Sequence, residues 1–192
     1  MTYLLTVYKK EIIKLLHINK KMELLIKDET VQHSIRCAVL ASKFGMYLGL
    51  SKKDLNNLIV GALLHDIGKF LLPKEVLYKK GRLSEEEFAI IKKHTINIPN
   101  VMVNDDVKDI IQQHHERLDG TGYPFSLTRK QIHPLAKIMS IIDVYDALSH
   151  KRSYKEAFTK EAVLKLMVVE SDKQFDSGLL KGFVSYLEKE GL

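Results

Sequence analysis

His114-His115-Glu116-Arg117-Leu118-Asp119-Gly120-Thr121-Gly122-Tyr123-Pro124 follows an upstream His65-Asp66-Ile67-Gly68-Lys69, and together the two stretches are hard to explain by packing alone. Adjacent imidazoles and carboxylates are poor core material, because each must find a polar partner once it leaves water. Divalent metal ions supply such partners. Five of the eight histidines, His33, His65, His94, His114 and His115, fall where a metal cluster would explain them. His17, His133 and His150 are read as carrying no chemistry.

Around these stretches the pattern is mostly helical. Apolar residues recur at three- and four-residue steps from about Leu4 to Ile26, and again through Ile35, Val39, Leu40 and Phe44, with Gly49 as a stop. Ser51 reads as the N-cap of a helix that delivers His65 and Asp66 near its end, and Gly68 supplies flexibility after them. Ser84 to Glu87 has capping-box spacing, opening a helix through Phe88, Ile91 and His94. Asp105 or Asp106 begins the helix that ends at His114-His115. Asp119 to Pro124 is a loop, since two glycines and a proline in six residues do not fit a regular helix. Helical spacing resumes from Ile132 to Leu148 with Asp143 and Asp146 inside it. Thr159 and Phe175-Asp176 introduce two more helices. No alternating strand is found, so the fold class is all-α.

A chain of 192 residues, 45% hydrophobic and 28% charged, has the composition of one globular domain with a short extra element. The formal net charge of +6 favours anionic ligands, but the lysines are scattered and no aromatic-basic platform for a nucleic acid polymer stands out. Cys37 is the single cysteine, read as a small buried apolar residue, and it points to no oxidising compartment. No apolar run reaches the roughly 18 residues of a membrane span. The expected location is the cytoplasm.

Glu29 and His33 are four apart, on one helical face. His65 and Asp66 point about 100° apart on a helix, so the carboxylate can bridge two ions while the imidazole binds one. His114 and His115 diverge in the same way. Asp143 sits among Ile141, Ile142 and Val144, where a carboxylate is costly unless paired or metal-bound. Histidine and carboxylate without thiolate suit iron, manganese, nickel or zinc. Such a cluster lowers the pKa of a bridging water, holds a phosphate oxygen and offsets charge in an in-line displacement.

These motifs resemble the HD-GYP family, the bacterial cyclic di-GMP phosphodiesterases of the HD superfamily. The similarity runs from about Glu29 to Phe175-Asp176 and includes Pro73 to Glu87, Asp143 to Leu148 and Arg152-Ser153-Tyr154-Lys155. It implies an HD-domain helical bundle extended by C-terminal helices of the GYP type over residues 29–192, preceded by an amphipathic segment, 1–28. It also implies two or three divalent ions, with iron or manganese favoured. Their ligands by motif position are His33, His65, Asp66, His94, His114, His115 and Asp143, with Glu29 where three-metal members carry a glutamate.

The resemblance further places Asp66 and Lys69 in catalysis, Lys69 at the scissile phosphate, Gly122 and Tyr123 beside the substrate, and Arg152 and Lys155 on phosphate oxygens. Arg117, Asp119 and Asp146 are read as structural. The chain departs from the family pattern at Ile98, Ser126 and Ser153, the first two standing where glycine is usual and the third where proline is common. The implied activity is hydrolysis of cyclic di-GMP by a metal-activated water to linear pGpG, with further cutting to GMP left open. A related cyclic dinucleotide such as cyclic GMP-AMP, and a non-catalytic module that binds cyclic di-GMP or a protein, are the alternatives. A diguanylate cyclase, a regulatory protein or a second copy of the chain are the partners considered.

Overall fold

The computed structural model describes residues 28–99, 101–150 and 157–191. The expected helix from Leu4 to Ile26 lies outside them. The chain divides between Gln32 and His33 into two units, and the hydrophobic core belongs to the second. The described residues form eight α-helices and two 3₁₀ turns, with no strand: α1 Glu29–Tyr47, α2 Lys52–Leu64, the turn Ile67–Leu71, α3 Lys74–Leu77, α4 Glu85–Lys92, the turn Lys93–Thr95, α5 Asp105–Gln113, α6 Pro134–Ser149, α7 Lys160–Val169 and α8 Ser177–Lys189.

Local chemistry sets most of these boundaries. α1 stops in a Schellman arrangement: Gly49 adopts φ +69°, its N–H bonds the Met46 carbonyl at 3.0 Å, and the Leu50 N–H reaches Gly45 at 3.1 Å. Ser51 Oγ accepts from the Asp54 N–H and opens α2. Ser84 and Glu87 complete a capping box on α4. α5 begins at Asp105, one of the two expected starts, and Asn104 before it caps the helix through the Val107 N–H. His133 earns a structural role that its sequence context did not announce, since its Nδ1 accepts from the Leu135 N–H beside Pro134 at the start of α6. Thr159 caps α7 as expected, and Asp176, in the pair expected to introduce the last helix, proves to cap α8.

α6 is the axis of the core. Ile138, Met139, Ile141 and Ile142 are buried along it, and it packs against α2, α5, α7 and α8. Cys37, Ala41 and Phe44 of α1 join the same core, where Phe44 meets Phe183 edge-on at 4.9 Å. Each such large side chain contributes about 1.5–3 kcal/mol by leaving water. Gly61 lets α2 cross α5 closely, because a Cβ there would lie 2.6 Å from Ile110.

The segment between α5 and α6 is held by side chains from several elements. Glu116, almost fully buried, accepts from the backbone N–H groups of Phe125 at 2.6 Å and Leu127 at 2.9 Å. Arg117 donates to Thr121, Gln174 and Glu170, and Asp119 accepts from Thr121. Ser126 takes φ +54°, in the left-handed region where a side chain costs about 1–2 kcal/mol. That conformation is the physical reason a glycine is at home at this position.

Candidate metal centre

Five elements each deliver one part of a buried polar cluster. His33 comes from α1, His65 and Asp66 from the end of α2, His94 from the 3₁₀ turn after α4, His114 and His115 from the end of α5, and Asp143 from α6. Their atoms fall in two groups, His33, Cys37, His65 and Asp143, and Asp66, His94, His114 and His115; within each, one donor atom per residue lies within 4.8 Å of the others. Asp66 joins the groups, with Oδ2 3.3 Å from His65 Nε2 and Oδ1 3.4 Å from His94 Nε2.

Three of the imidazoles are oriented by one repeated device. The Nδ1 of His65 lies 2.8 Å from the Ala62 carbonyl, that of His94 2.7 Å from Ile91, and that of His114 2.8 Å from Ile111, each three residues back in the chain. A carbonyl only accepts, so the proton is on Nδ1 and the lone pair is on Nε2, facing the centre. His33 is fixed differently, with Nδ1 2.6 Å from Asp146 Oδ2 and Nε2 2.9 Å from Asp143 Oδ1. Arg36 in turn grips Asp146 at 2.8 Å. Asp146→Asn is therefore expected to weaken metal binding about 10- to 100-fold, with the fold intact. Competition titration against a chelator checks this.

Protonation follows from burial and neighbours. Burial opposes charge on Asp66 and Asp143, yet Lys69 and His65 around the first, and His33 around the second, outweigh it and hold both carboxyls well below their usual range. Burial pushes His94, His114 and His115 down, the last to about 3, so all three are neutral imidazoles. Burial would lower His33 too, but hydrogen bonds to Asp143 and Asp146 prevail and raise it to about 12. Ligation through His33 Nε2 thus requires loss of a proton.

Asp66 Oδ1, His94 Nε2 and His114 Nε2 are buried with no hydrogen-bond partner. Three orphaned lone pairs converging on one spot are costly without a cation, and a divalent ion satisfies all of them at once. The donor set, imidazole and carboxylate in both groups, fits such ions. Cys37 was not foreseen here. Its Sγ lies 3.7 and 3.8 Å from the two ring nitrogens of His33, nearly equidistant, so it rests against the flank of the ring rather than in line with either lone pair. Burial pushes its thiol up to about 12.

A model of the HD domain family matches residues 17–179. The chain belongs to the HD domain family, in its HD-GYP branch. The HD-GYP chain is 34% identical to a cyclic di-GMP phosphodiesterase of Pseudomonas aeruginosa over 85% of its own length and 41% of the relative. It is 32% identical to the 3'3'-cGAMP-specific phosphodiesterase 2 of Vibrio cholerae, over 80% of its own length and 30% of the relative. It therefore spans less than half the length of these curated relatives. The HDGYP protein Bd1817 of Bdellovibrio bacteriovorus shares the fold with a TM-score of 0.66 and 24% identity, over 83% of this chain and 52% of that one. No helix among the described residues is long and apolar enough to cross a membrane.

Other expected site residues of the HD-GYP chain are placed around the cluster. Lys69 Nζ lies 2.7 Å from Asp66 Oδ2. The Tyr123 ring tilts over His115 at 4.8 Å. Gly122 packs so tightly that a Cβ would come 2.4 Å from the Arg117 nitrogen, so its glycine serves the shape of the loop. Glu29 is exposed in the first turn of α1. Arg152 and Lys155 lie outside the described residues. Sequence reading missed Glu116 as the clamp of the loop; its only signal was a carboxylate directly after the histidine pair.

Proposed function

We propose that the chain is a metal-dependent phosphodiesterase that opens cyclic di-GMP to linear pGpG, adding one water across one P–O bond, with GMP as the product of a second cut. The observation that carries this reading is the convergence of orphaned Asp66, His94 and His114 atoms beside a lysine, Lys69, that already faces the same carboxylate. Bound divalent ions would supply Lewis acidity and a water of lowered pKa. Two ions fit the two donor groups, held by His33, His65, Asp66, His94, His114, His115 and Asp143, with Glu29 contributing to a third; iron or manganese suits these donors.

The chain's own residues do the rest. Lys69 turns its charge toward a non-bridging phosphate oxygen, and Arg152 and Lys155 bind phosphate oxygens from the segment after α6. Burial, then the nearby Asp143 and Asp66, push the Tyr123 phenol far up, so it keeps its proton and serves as a donor. The site works in the cytoplasm on a soluble dinucleotide.

Anaerobically purified protein of known metal content, incubated with cyclic di-GMP and resolved for pGpG and GMP, tests this. Metal-dependent release of pGpG is expected. A fully metallated protein that cuts only cyclic GMP-AMP reassigns the substrate, and one that cuts neither leaves a binding module. Glu29→Gln is expected to lower the metal count per chain by about one, since loss of one carboxylate empties the site it completes; elemental analysis showing an unchanged count removes Glu29 from the ligand set.

A further inference from the structure

Beside the centre, α4 carries a feature that the phosphodiester chemistry does not use. Phe88 and Lys92, one helical turn apart, face the Gly-Tyr-Pro loop. The Phe88 ring meets the Tyr123 ring nearly perpendicularly at 6.1 Å, and Tyr123 in turn lies over His115 at 4.8 Å. Lys92 Nζ sits 4.8 Å from the centre of the Phe88 ring and 5.5 Å from that of Tyr123. Phe88 remains 43% exposed, a large apolar ring left at the edge of a polar site.

Resting on the reading of the site as a cyclic dinucleotide phosphodiesterase, we propose that Phe88 and Lys92 form a guanine subsite that sets base preference. The aromatic face stacks the base, a contact any nucleobase can make. Discrimination comes from Lys92. Its ammonium is held by ring faces, and no carboxylate of the described residues lies within ion-pairing distance of it. An ammonium only donates. Guanine offers two acceptors side by side, O6 and N7, whereas adenine replaces O6 by an amino donor that Lys92 cannot satisfy. The ladder from Phe88 through Tyr123 to His115 ties this wall to the metal ligands, so a base stacked there belongs to the nucleotide whose phosphate is being cut.

A rival place for the base is the groove lined by Lys69, Val76, Leu77, Leu83 and Ile91. The two sites are separated by comparing metal-loaded wild type with Phe88→Ala, Phe88→Trp and Lys92→Gln. Affinity is measured by calorimetry with a phosphorothioate analogue of cyclic di-GMP, and kcat and KM with cyclic di-GMP, cyclic GMP-AMP and cyclic di-AMP. Phe88→Ala is expected to weaken binding and raise KM roughly 10- to 100-fold, with a smaller effect on kcat, while Phe88→Trp retains affinity. Lys92→Gln is expected to reduce the preference for cyclic di-GMP over cyclic di-AMP about tenfold. Because Phe88 is exposed, thermal unfolding of the variants serves as the check on folding. Analogue binding by Phe88→Ala equal to wild type overturns the subsite, as does an unchanged preference in Lys92→Gln. Tight analogue binding lost in Phe88→Ala, in a wild type that cuts no dinucleotide, supports the subsite and overturns the phosphodiesterase reading alone.

Discussion

Alanine at both His65 and Asp66 is expected to reduce turnover of cyclic di-GMP by more than about a thousandfold, equivalent to roughly 4 kcal/mol of transition-state stabilisation. Asp66 lies at the junction of the two donor groups, within 3.4 Å of both His65 and His94, and its loss removes the carboxylate they share. The same substitution frees Lys69, whose ammonium is 2.7 Å from Asp66 Oδ2 and would then stand as a half-buried charge without its partner. Metal content should fall with activity. Elemental analysis alongside the assay separates the two effects, and a double variant that loses its metal yet turns over at the wild-type rate would sink the assigned chemistry.

The second large effect is expected from Gly68→Ala, in the turn that follows the His-Asp pair. A Cβ at Gly68 would stand 2.0 Å from the His94 carbonyl oxygen and 2.8 Å from that of Asn97. Both obstacles are backbone, so no side chain can swing away. The 3₁₀ turn carrying His94 has to retreat, and displacement of a catalytic group by about 1 Å costs on the order of a hundredfold in rate. Overpacking of this kind also destabilises by about 1–3 kcal/mol. Denaturant unfolding and metal titration check both consequences, and a variant with wild-type stability and metal affinity would show that the turn can yield. Sequence reading gave Gly68 flexibility as its purpose. The structure corrects this: Gly68 is buried, and it is needed for close approach of two backbones.

Much of the fold was legible because helix boundaries are written locally. Ser51, Ser84 and Thr159 cap the helices they were expected to cap, since a side-chain oxygen and an N–H three residues on are neighbours whatever the rest of the chain does. The residues of the polar cluster were legible for a related reason. Side-by-side histidines and an aspartate inside an apolar helix are too costly to be packing, so their presence signals partners even before those partners are known.

What tertiary structure alone decided is how those residues are held. Asp146, 110 residues beyond Arg36 in the chain, is gripped by it and fixes the His33 ring. Glu116 pins the loop that presents Tyr123, and Phe88 of α4 meets that tyrosine across the site. None of these contacts has a periodicity or a cap to announce it. The sequence by itself determined an all-helical chain bearing a set of histidines and aspartates that need polar partners, because propensity, capping and the cost of buried charge are properties of short segments. Only the folded chain decided which of these side chains fall into one group, why Gly68 must lack a side chain and which rings meet Tyr123, because those depend on distances between segments far apart in the chain.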